Sequence, residues 1–257
     1  MKVITIPCSF DNYAYLVICE ETGEAVVVDP SEFYPVYLEL EKRKVRLAAV
    51  YCTHHHADHI GGLEELRDEF DGLTICGSEK DAGRIPGMIC LLTESSRFSA
   101  GMIRGRVIST PGHTEGSVCY IFNEHLFTGD TLFGGGCGRI FEGTPGEMYD
   151  SLNVKLKKLP MGTKIYFGHE YTLQNLKFAE FVEPDNMAIK ERLEEIGRKQ
   201  GISPVTSPST LQLECATNPF LRCQEVGVSK MVAGKCGVDP FDVLSVFTAL
   251  RGMKDNF

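Results

Sequence analysis

The segment THHHADHIGG brings several potential metal ligands together within six residues. These ligands are His54, His56, Asp58 and His59. Imidazole nitrogen and carboxylate oxygen suit zinc and other first-row metal ions, and a set without thiolate fits a catalytic site better than a structural one. The pattern therefore predicts a catalytic metal site, with His55 facing away from it.

Three further candidates follow along the chain, each in a glycine-containing turn directly after an apolar run. They are His113 in PGHT, Asp130 in TGDT and His169 in GHE. A catalytic pair of metal ions about 3.5–4 Å apart needs about seven protein ligands, one of them a bridging carboxylate. Because the three additions complete such a set, the sequence predicts two metal ions.

Short apolar runs must position these side chains. The three runs that are predicted to be strands are Ala25–Val28, Arg46–Tyr51 and Lys164–Phe167. Polar residues follow each run, as in α/β folds that build their sites at strand ends. A helix beginning at Gly61 would let His54 and His56 project together from the extended segment before it. Asp29, which ends VVVD, is either a hydrogen-bond partner of a metal-bound histidine or a turn residue.

The 257 residues carry a formal net charge of −9 and include ten cysteines. The acidic balance disfavours nucleic-acid binding, which depends on clustered Lys and Arg. The cysteines form no CxxC pair, which predicts reduced thiols. No apolar run approaches the roughly 20 residues of a membrane-spanning helix, and no secretory signal is evident. We expect a cytoplasmic protein, or a mitochondrial one if a presequence precedes Met1.

The chain after Tyr171 is predicted to be helical. Asn186–Gln200 spaces apolar residues at helical intervals among charges, and Asp239-Pro240 is typical of an N-cap followed by the first helical residue. The stretch Gly201–Ser209, rich in Ser and Pro, is predicted to be an ordered loop between these helices.

The succession of HxHxDH, GHT, TGD and a late His resembles the metallo-β-lactamase superfamily. Within it the chain is most similar to the glyoxalase II, or hydroxyacylglutathione hydrolase, family, along its whole length. The likeness is carried by THHHADHIGG, FTGDTLF, GCGRIFEG, GHEYTLQN, NLKF, PSTL, NPFLR and LRGMKDNF. It implies an α/β fold with a four-layer αββα catalytic domain over residues 1–172, followed by a smaller all-α substrate-binding domain over residues 173–257.

The resemblance also implies a role for each ligand. One ion would be held by His54, His56 and His113, the other by Asp58, His59 and His169, with Asp130 bridging both. Asp58 and Asp130 would be the catalytic residues, and Asp130 would orient a metal-bridged hydroxide. The ions would be divalent, with zinc as the first expectation and iron or manganese as alternatives.

Glutathione binding is implied for five residues: Arg139, Phe141, Tyr171, Arg251 and Lys254. Two of them depart from the family pattern, since Arg139 replaces a lysine and Phe141 lacks the usual phenolic hydroxyl. Arginine can grip a carboxylate through its bidentate fork, whereas the missing hydroxyl removes a hydrogen bond worth about 1 kcal/mol. Without the resemblance, Arg251 and Lys254 would be interpreted as solvated charges near a helix end.

The implied activity is hydrolysis of S-D-lactoylglutathione and related 2-hydroxyacylglutathiones to glutathione and D-lactate, a reaction of methylglyoxal detoxification. We expect a monomer with a small-molecule partner and neither nucleic acid nor membrane. The main alternative is an iron-dependent glutathione persulfide dioxygenase of the same fold, which generally uses one metal and lacks the helical domain. Asp130 disfavours a β-lactamase, and the acidic net charge disfavours a tRNA-processing nuclease. The complete set of ligands disfavours a non-catalytic binding module.

Overall fold

The computed structural model describes residues 1–199 and 205–257. Within them the chain forms two compact units, each assembled from separate segments. The first comprises Met1–Ser109, Gly116–Asp130 and Tyr166–His169, and the second Thr110–Glu115, Thr131–Ile165 and Glu170–Phe257. The domain boundary after residue 172 stays a prediction.

Strands and helices alternate in the first half of the chain, and helices dominate its end. The strands are β1 (Lys2–Cys8), β2 (Asn12–Ile18), β3 (Glu24–Val28), β4 (Arg46–Tyr51), β5 (Thr74–Ser78), β6 (Cys90–Leu92), β7 (Arg97–Ala100), β8 (Ile103–Ser109), β9 (Val118–Phe122), β10 (His125–Gly129), β11 (Leu132–Phe133), β12 (Gly136–Cys137), β13 (Lys164–Phe167) and β14 (Ser209–Thr210). The α-helices are α1 (Phe33–Arg43), α2 (Ala57–Ile60), α3 (Leu63–Glu69), α4 (Pro145–Tyr149), α5 (Thr172–Val182), α6 (Met187–Lys199), α7 (Leu211–Thr217), α8 (Val226–Cys236) and α9 (Val243–Asp255). Shorter 3-10 turns cover Glu79–Asp81, Leu156–Lys158 and Pro219–Leu221, and a π-helical segment covers Asp150–Lys155.

The first sheet has the strand order β1-β2-β3-β4-β5-β6 and lies in the first unit. Its first three strands are antiparallel, whereas β3 to β6 are parallel. All of β2 is buried and so is most of β3, because a sheet covered on both faces needs continuous apolar strands rather than alternating ones. Val36 and Leu40 of α1 join Leu16 and Val27 in one apolar cluster.

The second sheet of the first unit is formed by antiparallel β7, β8, β9 and β10 and by the end of β13. Aromatic side chains connect it to the first sheet. The ring centroids of Tyr15 and Phe127 lie 5.3 Å apart, and those of Tyr51 and Tyr120 lie 5.2 Å apart, both edge to face. Tyr120 Oη also donates a hydrogen bond to Cys52 O at 2.6 Å, which ties the end of β4 to β9.

The second unit is built around α4 to α9, with β14 pairing to the start of β13. Phe178, Phe220 and Phe247 are fully buried at its centre. A buried ion pair joins α6 to α7, with 2.7 Å between Arg192 Nη2 and Glu214 Oε1. Among the described helices, none has both the length and the apolar character to cross a membrane.

The three predicted strands are confirmed as β3, β4 and β13, and the helix predicted from Asn186 is confirmed as α6. Residues 200–204, which end that predicted helix and begin the predicted loop, lie outside the described residues. Residues 205–208 have no regular structure, and Ser209 begins β14.

Two predicted helix starts are wrong. The helix after the ligand segment begins at Ala57 rather than Gly61, since His59 N already donates to His56 O at 2.9 Å. The last helix begins at Val243, because the carboxylate of Asp242 caps it by accepting the N–H of Ser245.

Candidate metal centre

Six predicted ligands lie in the first unit, each after a strand end or in the short helix α2. They are His54, His56, Asp58, His59, Asp130 and His169. His54, His59, Asp130 and His169 are buried, whereas the side chain of Asp58 is 50% exposed. The fold therefore presents one open side of the group to solvent.

Asp58, His59 and His169 form one convergent set, with their ligand atoms within 4.8 Å of one another. The Nε2 atoms of His59 and His169 are 3.2 Å apart, and Asp58 Oδ2 is 3.3 Å from His169 Nε2. This is the trio that the family resemblance assigns to one ion.

Asp130 lies beside that trio and also belongs to a second set with His54 and His59. Its Oδ1 is 3.2 Å from His59 Nε2 and its Oδ2 is 3.4 Å from His169 Nε2. A side chain on Gly168 would collide with Asp130 and His59, so the glycine of GHE keeps this space open. Asp130 is thus near ligands of both predicted ions, as a bridging carboxylate must be.

Asp29 forms hydrogen bonds to the ligand segment, and its role as the partner of a metal-bound histidine stays a prediction. Its Oδ2 accepts from His59 Nδ1 at 2.9 Å and from Thr53 Oγ1 at 2.7 Å, while Oδ1 accepts from Thr53 N at 2.7 Å. Thr53 Oγ1 lies 3.1 Å from His54 Nδ1. Asp29 therefore orients His59 directly and contacts His54 through Thr53.

Asp11 is a second supporting carboxylate, and it was not among the residues predicted from the sequence. Asp11 Oδ1 accepts from His169 Nδ1 at 2.9 Å across 158 residues of chain. Next to it, Asn12 Nδ2 donates to the carbonyl oxygen of Asp58 at 3.0 Å and to Asp58 Oδ2 at 3.2 Å. No local pattern in PCSFDNY signals these contacts, since both partners come from distant segments.

The donor set fits a divalent metal ion. Because Asp29 and Asp11 accept the Nδ1 protons, the Nε2 atoms of His59 and His169 present lone pairs toward each other and toward carboxylate oxygens. Such a group of acceptors needs a cation or extra protons between its members. The chain therefore supports divalent metal binding through His and Asp.

In the absence of a metal ion, additional protons bind to the histidine nitrogens of this group. Burial lowers the pKa of His59, but the charges and hydrogen bonds of Asp130 and Asp29 outweigh it and raise the pKa to about 10. Burial also lowers the pKa of His169, but its interactions with Asp130, Asp58 and Asp11 outweigh this effect and raise the pKa to about 11. Metal ions and protons thus compete for the same nitrogens.

The remaining histidines divide between the two units. His54 and His56 have ring centroids 4.6 Å apart. His55 Nδ1 lies 3.1 Å from Asp81 Oδ1, and the orientation of His55 away from the metal ions stays a prediction. His113 belongs to the second unit, where its Nδ1 donates to Arg139 O at 2.7 Å. Its joint coordination of an ion with His54 and His56 stays a prediction.

All five predicted glutathione-binding residues lie in the second unit. Arg139, Phe141 and Tyr171 are exposed, and Lys254 is half-buried. Burial and the nearby charges of Arg251 and Arg139 lower the pKa of Lys254, which shows that these cations are clustered. The cluster is partly balanced by Asp255, whose Oδ1 is 3.5 Å from Arg139 Nε.

Arg251 differs from the other four because it is only 6% exposed. Its Nη1 donates to Cys137 O at 2.8 Å and its Nη2 to Asp255 Oδ1 at 3.0 Å. Its guanidinium therefore holds the GCGR loop as well as adding charge to the cluster. Cys137 lies in β12, and burial raises the pKa of its thiol, in agreement with a structural residue rather than a nucleophile.

Comparison with known proteins identifies the family. Residues 10–90 match the model of the metallo-beta-lactamase superfamily, and residues 170–257 match that of the hydroxyacylglutathione hydrolase C-terminus. The hydroxyacylglutathione hydrolase of Gloeothece citriformis is 42% identical over 264 residues, covering 100% of both chains. This chain belongs to the hydroxyacylglutathione hydrolase family. The predicted family and its enzyme class, a metal-dependent hydrolase, are confirmed.

Solved structures confirm the fold. ETHE1 from Myxococcus xanthus has a TM-score of 0.68 and 24% identity, covering 99% of this chain and 100% of its own. A protein solved in a di-iron-bound form has a TM-score of 0.63 and 24% identity, covering 86% of this chain and 100% of its own. This chain therefore has the metallo-β-lactamase fold, with a helical C-terminal region.

Proposed function

We propose that this protein hydrolyses S-D-lactoylglutathione and related 2-hydroxyacylglutathiones to glutathione and D-lactate. The observation that carries the proposal is the match of the whole chain, including residues 170–257, to hydroxyacylglutathione hydrolases. The converging ligand sets around Asp130 are consistent with it. We also propose the domain boundary after residue 172, because the C-terminal family model begins close to it.

Two divalent ions fit the proposal, with zinc as the first expectation. Asp58, His59 and His169 would hold one ion, and His54, His56 and His113 the other, with Asp130 shared between them. When bound, the ions supply Lewis acidity and lower the pKa of water from about 15.7 toward neutrality.

The carboxylates of the site remain ionised in their surroundings. Burial raises the pKa of Asp130, but His59 and His169 lower it well below its usual range, and a hydrogen bond with His169 likewise lowers the pKa of Asp58. An ionised Asp130 can accept a hydrogen bond from water and orient it toward the thioester carbonyl. Water oxygen then bonds to the acyl carbon while the water releases a proton to solvent. The C–S bond breaks, and the thiolate leaves with the electron pair and takes a proton from solvent, so that the products are a carboxylic acid, which ionises, and a thiol.

The cations of the second unit are suited to the glutathione end of the substrate. Glutathione carries two carboxylates and one ammonium group, so Arg139 and Lys254 can attract and fix its anionic tail in an otherwise acidic protein. The exposed Tyr171 adds a hydroxyl for hydrogen bonding. We propose that the protein acts as a cytoplasmic monomer on this small molecule.

The test is hydrolysis of S-D-lactoylglutathione, followed as loss of thioester absorbance, with metal content measured on the same sample. We expect hydrolysis in protein loaded with two zinc ions per chain and a loss of at least about 100-fold in Asp130→Asn, while the exposed control Asp71→Asn retains activity. Oxygen consumption with glutathione persulfide, without thioester hydrolysis, would overturn the proposal in favour of the dioxygenase alternative.

A further inference from the structure

The turn between β1 and β2 and Asn12, the first residue of β2, lie against one part of the candidate metal centre. Asp11 contacts His169, and Asn12 contacts both the backbone and the carboxylate of Asp58. His169 and Asp58 are two of the three members of a single convergent set.

The backbone keeps this turn in place. Asn12 forms an isolated antiparallel bridge with His169, and Tyr13 N donates to Gly168 O at 2.8 Å. Asn12 itself is only 6% exposed. The turn is therefore fixed to the same strand end that carries His169, so its side chains have defined positions.

Asp29 supports a different combination of ligands. It orients His59 and, through Thr53, contacts His54, which the family pattern assigns to the other ion. Support from Asp29 thus reaches both ions, whereas the contacts of Asp11 and Asn12 described above fall on ligands of one.

We propose that Asp11 and Asn12 are positioning residues that set the affinity of the Asp58, His59 and His169 position for its metal ion, and so determine whether the second ion is loaded. Neither side chain ligates the ion. Asp11 fixes the ring and the tautomer of His169 and increases its basicity, and Asn12 fixes the carboxylate of Asp58. The inference depends on the two-ion part of the proposed function.

The test is a zinc titration of metal-free protein in competition with a chromophoric chelator. Asp11→Ala is expected to weaken one binding step by about 10- to 100-fold and leave the other unchanged, so that it holds one ion per chain at a free zinc concentration that loads wild type with two. Asn12→Ala is expected to act on the same step. Asp29→Asn is expected to weaken both steps.

Matched controls separate this effect from general damage. Phe10→Ala changes a fully exposed side chain next to Asp11, and Asp71→Asn removes a carboxylate in another exposed turn; both should bind two ions with wild-type affinities. Asp11→Asn keeps the size of the side chain. If Asp11→Ala fails to fold, the zinc titration of Asp11→Asn is used in its place.

The outcomes are distinct. Two unchanged binding steps in Asp11→Ala and Asp11→Asn, or equal weakening of both steps, would overturn the inference while leaving the proposed function intact. A wild-type protein that binds only one zinc ion at saturation would overturn the two-ion proposal and this inference together.

Discussion

The Nε2 atoms of His59 and His169 lie 3.2 Å apart, and each ring is held at Nδ1 by its own carboxylate, Asp29 for His59 and Asp11 for His169. Two imidazole lone pairs repel each other at this distance unless a cation or a proton lies between them. The two Nε2 atoms are therefore placed to bind a cation, which is either a metal ion or a proton.

Zinc binding to the metal-free protein at pH 7 should release protons. The pKa values of His59 and His169 are raised to about 10 and about 11, so both rings hold an additional proton at pH 7, and the metal must displace it. The apparent affinity for zinc should consequently rise as the pH increases. Calorimetry in buffers with different ionisation enthalpies measures the number of protons released, and a value of zero would contradict the expectation.

Lys254→Met should raise KM for the glutathione thioester about 10-fold with little change in kcat, because a hydrogen bond to a charged group contributes about 1.5 kcal/mol. Lys230→Met, which removes an exposed lysine from α8, is the control and should leave KM unchanged. Steady-state kinetics measures both constants. An unaltered KM in Lys254→Met would remove Lys254 from the binding site.

Arg251→Met should behave differently from Lys254→Met. Because the Arg251 guanidinium donates to Cys137 O and Asp255, its loss should lower the free energy of unfolding as well as affinity for substrate. Urea denaturation should show a loss of about 2 kcal/mol in Arg251→Met and a smaller loss in Lys254→Met. Equal stability of the two variants would argue against the loop-holding role of Arg251.

Phe141→Tyr should lower KM about fivefold, corresponding to one hydrogen bond of about 1 kcal/mol. Phe141 is 63% exposed, and its ring lies 5.3 Å from that of His113, so an added hydroxyl has room at the surface. Phe141→Leu, which adds no hydroxyl, serves as the comparison. A KM that does not fall in Phe141→Tyr would show that this ring does not face the peptide.

Glu214→Gln should lower the free energy of unfolding by about 3–5 kcal/mol, because it leaves the charge of Arg192 buried without a counter-ion. The double variant Arg192→Met with Glu214→Gln should lose less than the sum of the two single changes. Urea denaturation of the three variants gives the coupling free energy. Strictly additive losses would show that the ion pair contributes nothing of its own.

Glu214, besides pairing with Arg192, also contacts the loop that precedes Arg139. Its Oε2 accepts from Gly135 N at 2.7 Å, and Asn218 Nδ2 donates to Gly136 O at 2.9 Å. Asn218 belongs to the segment NPFLR, and Ser209 of the motif PSTL donates to Glu214 Oε1 at 2.5 Å. Both family motifs therefore contribute to positioning the hairpin of β11 and β12. Their contribution could not be deduced from the sequence because it depends on contacts across about 80 residues of chain.

The types of ligand at the candidate site can be recognised from the amino-acid sequence alone. His54, His56, Asp58 and His59 are recognisable because ligand type and close spacing are local properties, and continuous apolar runs such as β3 are recognisable because a covered parallel strand needs them. The family likeness then supplied the predicted roles of Asp130 and His169, whose short motifs are weak signals alone.

The residues that orient these ligands become evident only in the folded chain. Asp11 lies 158 residues before His169, and the burial of Arg251 follows from packing against the loop at Cys137. Even the start of α9 depended on a side chain, since Asp242 rather than Asp239 supplies the cap. Ligand identity is encoded in neighbouring residues, but orientation arises from contacts between distant segments, and these form only when the chain folds.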